Sequence, residues 1–448
     1  VVVKNGKVEA MLVHEEEGFG VRALADGAWG FAASHRLEPA EADRMTGLAV
    51  RIARASATTK RADVRLGPPV LSTGSYSTPI KIDPFSVSME DRVQLLLDAD
   101  AAMRRVQGIT LAESSLQCIR TDKLFASTEG SFVEQQLVET GAGLEATAVR
   151  DGEVQKRSYP NSFGRQQGAA GYEFVLGMKL VDNAPLIAEQ AVQLLSAPQC
   201  PSDLVTTVIL DPTQVALQVH ESCGHPIELD RVMGTEAGYA GTSFLTLDKL
   251  GSFRYGSDVV NIVADATVPG GLGTFGYDDE GVPAQRVPII QNGVFVNYLT
   301  SRETAAALGQ SSNGTMRADG WNRIPLIRMT NINLEPGPWT LEELIADTDD
   351  GIFMQTNKSW SIDDRRLNFQ FGTEIAWEIK GGKLGKMYKN ATYTGITPRF
   401  WGGCDAVCRE WTVWGVPNCG KGEPMQVAHV GHGTAAARFR TVRVGVMG

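Results

Sequence analysis

Leu204-Val205-Thr206-Thr207-Val208-Ile209-Leu210-Asp211-Pro212-Thr213-Gln214-Val215-Ala216-Leu217-Gln218-Val219-His220-Glu221-Ser222-Cys223-Gly224-His225-Pro226 passes from strand to helix to a cluster of polar side chains. Leu204 to Leu210 is apolar and β-branched enough for a strand. Asp211 offers a carboxylate to the exposed amides of a helix start, and Pro212 suits the first helical position, where no amide donor is needed. The helix carries Val215, Leu217 and Val219 into His220-Glu221-Ser222-Cys223-Gly224-His225, a pattern of the form H-E-x-x-x-H.

Upstream, Asn5-Gly6 and Asp26-Gly27 sit between apolar-rich segments as tight-turn residues, so the chain opens in β-hairpins. Met45, Leu48, Ile52 and Ala55 recur at helical spacing and predict a helix from Pro39 to about Ala57. Ser88 and Asp91 mark a second helix start, running to about Val106. From Ile109 to Arg157 short alternating stretches, Leu111 to Ile119 and Phe132 to Val138 among them, predict an antiparallel sheet broken by glycine-bearing turns. Ala184 to Ala197 returns to helix, and Pro198 with Pro201 marks a boundary.

Downstream, short apolar strands and turn signals such as Asn292-Gly293 and Gly381-Gly382 dominate, with short helices at Ser301 to Leu308 and Thr340 to Ala346. The expected fold class is α+β: an N-terminal mixed α/β domain, residues 1–198, followed by a predominantly antiparallel β domain, residues 199–448, that carries the motif helix.

The chain has 448 residues, enough for two cores, and its 43% hydrophobic and 21% charged residues are those of an ordinary globular protein. A net charge of -10 disfavours a surface that tracks nucleic-acid phosphates. Arg438, Arg440 and Arg443 alternate with small or apolar residues and read as the solvent face of a strand. No export signal and no apolar run of membrane-spanning length stands out, so neither a nucleic-acid nor a membrane partner is expected. Six cysteines, Cys118, Cys200, Cys223, Cys404, Cys408 and Cys419, are too few for a disulfide scaffold, and a reducing, cytoplasmic setting is the expectation. The opening at Val1, directly inside a strand, leaves room for residues upstream.

Zinc-peptidase motifs commonly space their histidines four apart, which puts both on one helical face. Here the separation is five, and an ideal α-helix would turn the second histidine by about 140° from the first. Gly224 and Pro226 offer relief, since the helix can loosen at glycine and stop near proline, letting His225 turn back. Neutral imidazole suits zinc, and Glu221 beside a ligand could accept a proton from water and return it to a leaving amine. Only six histidines occur in the chain and two fall here, which favours the metal reading over a polar packing cluster. Cys223, three residues after His220, shares its helical face and competes as a further ligand. Cys404 and Cys408 read as packed thiols. No dinucleotide fingerprint, phosphate loop or serine elbow competes.

Beyond this motif, the chain resembles the TldD/PmbA family over nearly its whole length. The likeness runs through Lys4-Asn5-Gly6-Lys7-Val8-Glu9, Gly18-Phe19-Gly20-Val21-Arg22, the H-E-x-x-x-H motif, Phe275-Gly276-Tyr277-Asp278-Asp279-Glu280-Gly281 and Asn418-Cys419-Gly420-Lys421-Gly422, and on from His432 to Phe439. The motif places it on the TldD-like, catalytic side. The resemblance implies a zinc-dependent metallopeptidase with His220, His225 and the distant Cys419 as metal ligands and Glu221 as catalytic base. It implies small, unfolded or modified peptides as substrates, taken as extended strands, and a homodimer or a heterodimer with a PmbA/TldE-like subunit. A noncatalytic peptide-binding or assembly subunit and an amidohydrolase acting on a non-peptide amide are the alternatives. Asp278, Asp279, Glu280, His429 and His432 carry no assigned role.

Overall fold

Asn5, Gly6, Asp26 and Gly27 all adopt positive φ, and each pair turns a tight hairpin. In the computed structural model, which describes residues 1–446, these are Val2–Lys4 with Lys7–Ala10 and Phe19–Ala25 with Ala28–Ser34. The helix Pro39–Ala57 lies on the second hairpin and buries Met45 and Ala49 against Ala32.

The strands Ile109–Ala126 and Phe132–Arg150 pair antiparallel along almost their whole length, well beyond the short stretches expected. Where glycine-bearing turns were expected between short stretches, Gly141 and Gly143 lie inside the second strand. Their role is close approach: a Cβ on Gly143 would stand 2.1 Å from the carbonyl oxygen of Gly164, whose segment crosses there. These two strands centre a seven-stranded sheet with the first hairpin at one edge and Thr73–Ser77 at the other. The helices Met89–Arg104 and Leu180–Ser196 cover it, burying Leu96, Met103, Ile187 and Ala188 against Ala142, Leu144 and Ala146.

Leu204–Leu210 opens a second and larger apolar core. It pairs parallel with Asp350–Ile362 on one side and antiparallel with Ala437–Val446 on the other. Asn368–Lys380 and Ala391–Ile396 connect those two partners and close a ring of five strands. Aromatic rings fill it, with Phe400 stacked on Phe439 at 4.1 Å between centroids. Outside the ring lie a four-stranded sheet and the two-stranded ribbon Thr412–Lys421 with Gln426–Thr434. The architecture is therefore an N-terminal mixed α/β region followed by a larger, mostly antiparallel β region bearing the motif helix. Among the described residues no helix is long and apolar enough to cross a membrane.

One expectation fails here. Arg438 is 3% exposed, not on a solvent face. Asp347, Thr348, Asp405 and the Trp339 ring cover that face of its strand, and the guanidinium is held by Asp405 at 2.9 Å and Asp347 at 2.8 Å. Polar contacts join the two halves. Glu374 in the ring accepts hydrogen bonds from Arg157 Nη1 (2.7 Å), the Ser158 amide (2.7 Å) and the Ser158 hydroxyl (2.6 Å). Gln166 bonds the ribbon backbone at Val413 and Gly415.

Candidate metal centre

Asp211 caps the motif helix as its position suggests, accepting from the Gln214 amide at 2.9 Å. The α-helical ladder runs through Pro212–Val219 and then widens: His220–Gly224 forms a π-helical turn, with the His225 amide donating to the His220 carbonyl at 3.2 Å. A five-residue ring of this kind absorbs the extra residue of the motif and returns His225 to the side of His220. Their rings stand edge to face with centroids 4.9 Å apart. Groups from elsewhere hold the wide turn. Tyr255 donates its hydroxyl to the Ser222 carbonyl at 3.0 Å, and the Trp401 indole donates to the Ser222 hydroxyl at 2.9 Å. Gly224 packs against Met329 so closely that a Cβ would lie 2.3 Å from its sulfur.

Cys419 comes from the ribbon, on the strand Thr412–Lys421. The pairing register breaks between Val416 and Cys419, a bulge that re-aims the following side chains. Its sulfur reaches within 3.7 Å of His225 Nε2. One ligand atom from each of His220, His225 and Cys419 lies within 4.8 Å of the others, all three residues buried. Cys223 stays out of this group: it belongs to the apolar core and burial pushes its thiol up to about 12. Burial also pushes the Cys419 thiol up, but His225 and Arg328 outweigh it and leave the thiol below the ordinary cysteine value. Cys404 and Cys408 are buried, packed thiols, as expected.

Both imidazoles are oriented through Nδ1. His225 Nδ1 lies 3.1 Å from a carboxylate oxygen of Glu228, which can only accept, so Nδ1 carries the proton and Nε2 keeps its lone pair. For His220 the orientation comes through a second histidine. His432 Nδ1 faces the Ile332 carbonyl at 3.0 Å and must donate to it, which leaves His432 Nε2 to accept from His220 Nδ1 at 2.7 Å. His220 Nε2 is then free for a metal. Burial holds all three histidines below their ordinary value, in the neutral form a metal requires. Two neutral imidazole nitrogens and a sulfur inclined to ionise suit zinc.

Glu221 is 5% exposed, and its Oε2 pairs with Arg366 Nη1 at 2.6 Å. Beneath His225, the fully buried Glu228 also lies 3.5 Å from Lys421 Nζ and 3.5 Å from Arg231 Nε, which balances its charge. Glu228 was open to sequence reasoning, since three residues past His225 is a helical neighbour. Arg366 and His432 were not, because each meets its partner only through the fold.

The remaining acidic and histidine positions serve elsewhere. Asp278 accepts amides of Glu280, Val282 and Met316, Asp279 pairs with Lys123, and Glu280 pairs with Arg22 at 3.0 Å. These bonds tie the two halves and fix a loop. His429 lies against Glu139 of the first sheet.

Known proteins resemble this chain in sequence and in fold. Three family models cover most of the chain: PmbA/TldA metallopeptidase domain 1 over residues 1–53, the central domain over 82–197 and the C-terminal domain over 204–445. A metalloprotease of Methanocaldococcus jannaschii is 30% identical across 98% of this chain and 92% of its own length. A TldD homologue of Haemophilus influenzae, also a metalloprotease, is 27% identical across 88% of this chain and 80% of its own. Among solved structures, TldE of Thermococcus kodakarensis superposes with a TM-score of 0.70 at 19% identity, over 95% of this chain and 89% of its own. A Thermotoga maritima protein described as a candidate modulator of a DNA gyrase gives 0.77 at 18% identity, over 99% and 92%. The last two speak for the fold alone. Matched along nearly its full length and carrying a zinc-type donor set where its H-E-x-x-x-H motif meets the distant Cys419 segment, the chain belongs to the TldD/PmbA family of zinc-dependent metallopeptidases.

Proposed function

We propose that His220, His225 and Cys419 are the zinc ligands and that Glu221 is the general base of peptide-bond hydrolysis. The observation that carries this reading is the convergence of the three ligand atoms within 4.8 Å, with both histidines oriented through Nδ1. Zinc held there would supply Lewis-acid chemistry at the scissile carbonyl. Glu221, next to His220 in sequence, takes the proton of the attacking water and delivers it to the departing amine.

Burial argues for the substrate class. His220, Glu221, His225 and Cys419 are each 5% exposed or less, so a compact folded domain cannot bring its backbone to them. A single extended strand makes the smaller demand on access, and small, unfolded or modified peptides meet it best. For the working assembly we favour a dimer, of two copies or with a TldE-like subunit, in line with the fold shared with TldE. We divide the chain into domains 1–198 and 199–448 on the strength of its two large apolar cores; residues 447 and 448 lie outside the described residues.

Glu221→Gln keeps the shape of the side chain and removes its capacity to accept the proton. Turnover of unstructured peptides should fall by about 100-fold or more, with zinc content equal to that of the parent protein. Near-normal turnover at full zinc occupancy removes Glu221 from the mechanism.

A further inference from the structure

Arg366 occupies an unusual backbone position. It lies in the turn between the ring strands Asp350–Ile362 and Asn368–Lys380, with φ at 63°, in the left-handed region that a non-glycine residue rarely adopts. The turn is tied on every side. Asp363 accepts the amides of Leu367 (2.7 Å) and Asn368 (3.1 Å), and its carbonyl accepts the Arg366 amide at 2.8 Å. The Arg365 carbonyl accepts from the Phe244 amide, and the Arg366 carbonyl accepts from the Thr397 hydroxyl. Strain held by this many bonds has a product, the delivery of one guanidinium to Glu221.

The contact is single-toothed. Nη1 meets Oε2 at 2.6 Å, and among the described residues no hydrogen bond reaches Oε1. An arginine that only neutralised a carboxylate would gain more from the two-toothed pairing that its fork permits. The pair is also well shielded, with side-chain exposures of 16% for Arg366 and 7% for Glu221, so the contact competes little with water.

We propose that Arg366 is a positioning residue for Glu221: its guanidinium fixes Oε2 and so presents Oε1 as the one oxygen that takes the proton from water. This rests on the reading of Glu221 as general base. In the step, the water oxygen bonds to the peptide carbonyl carbon and the water proton passes to Oε1. It then moves to the nitrogen released as the C–N bond breaks.

The test uses Arg366→Ala, Arg366→Lys and Glu221→Gln in the full chain, with the peptide best cleaved by the parent chosen from a library of unstructured sequences. For Arg366→Ala, kcat should fall by about 100-fold with KM and zinc content little changed, since a base is misaimed while ground-state binding is untouched. Added guanidinium ion should restore part of kcat in Arg366→Ala and none in Glu221→Gln. Arg366→Lys, which keeps the charge without the fork, should fall between parent and alanine variant; should the alanine variant not fold, this intermediate kcat at unchanged KM and zinc content decides the matter. Three results overturn the proposal: a kcat near that of the parent, a raised KM at unchanged kcat, or a loss that neither guanidinium nor lysine relieves. Each can occur while Glu221→Gln remains inactive. Full turnover by Glu221→Gln would instead retire the reading of Glu221 itself.

Discussion

His432 fixes which nitrogen of His220, a proposed zinc ligand, is left with its lone pair. It donates to Ile332 through Nδ1 and accepts from His220 through Nε2, so its own tautomer dictates that of His220. His432→Leu strands the His220 Nδ1 proton in a buried site with nothing to receive it. Zinc affinity, measured by competition with a chromophoric chelator, should weaken by about 10- to 100-fold. His432→Gln can place its carboxamide oxygen near the lost Nε2 and should keep most of the affinity. Equal affinities in both variants would reject the relay. At this scale the legible residues were the local ones: His220, Glu221 and His225 stand together in six positions of sequence. Cys419, 194 positions from His225, was reached only through family resemblance, because no residue spacing encodes a contact between a helix end and a distant ribbon. His432 is 212 positions from His220 and remained without a role for the same reason.

The π-helical turn is the element on which the site depends. Sequence reasoning located the trouble, five-residue spacing on a helix, and placed the relief at Gly224 and Pro226. What it could not supply was the form of that relief, since the wide turn is stabilised by Tyr255 and Trp401, which arrive from other parts of the chain. The same division holds across the fold. Helix starts at Ser88, Asp211 and Thr340 were legible because a cap is a local hydrogen bond. The lengths of the paired strands Ile109–Ala126 and Phe132–Arg150 were not, because glycine marks a turn and a close crossing alike. Gly224 illustrates the crossing case. In Gly224→Ala the new methyl meets the Met329 sulfur, and overpacking should cost about 1–3 kcal/mol in urea unfolding. Met329→Ala opens space at the same spot. The double variant should therefore lose less than the sum of the two single losses. Additive losses would show that Gly224 serves some purpose other than leaving room for Met329.

On the scale of the whole molecule, two apolar cores meet across a largely polar seam, and Glu374 is its most enclosed ionic tie. Its carboxylate takes Arg157 and both donors of Ser158, with side-chain exposures of 6% for Arg157 and 3% for Glu374. A pair so placed gives little net stability relative to well-packed apolar residues, but losing one partner leaves the other buried and uncompensated. Glu374→Leu should therefore cost about 3–5 kcal/mol, read as a lower urea midpoint. Arg157→Met combined with Glu374→Leu should recover part of that loss, because no lone charge remains while the two Ser158 donors stay unpaired. The metal centre ought to be indifferent to both changes. His220, His225 and Cys419 all belong to the second half and are oriented by Glu228, His432 and Ile332 of that same half. Zinc stoichiometry of the folded variants should thus equal that of the parent. Loss of zinc from Glu374→Leu under conditions where the protein remains folded would mean that the seam, and not the second half alone, holds the ligands in place.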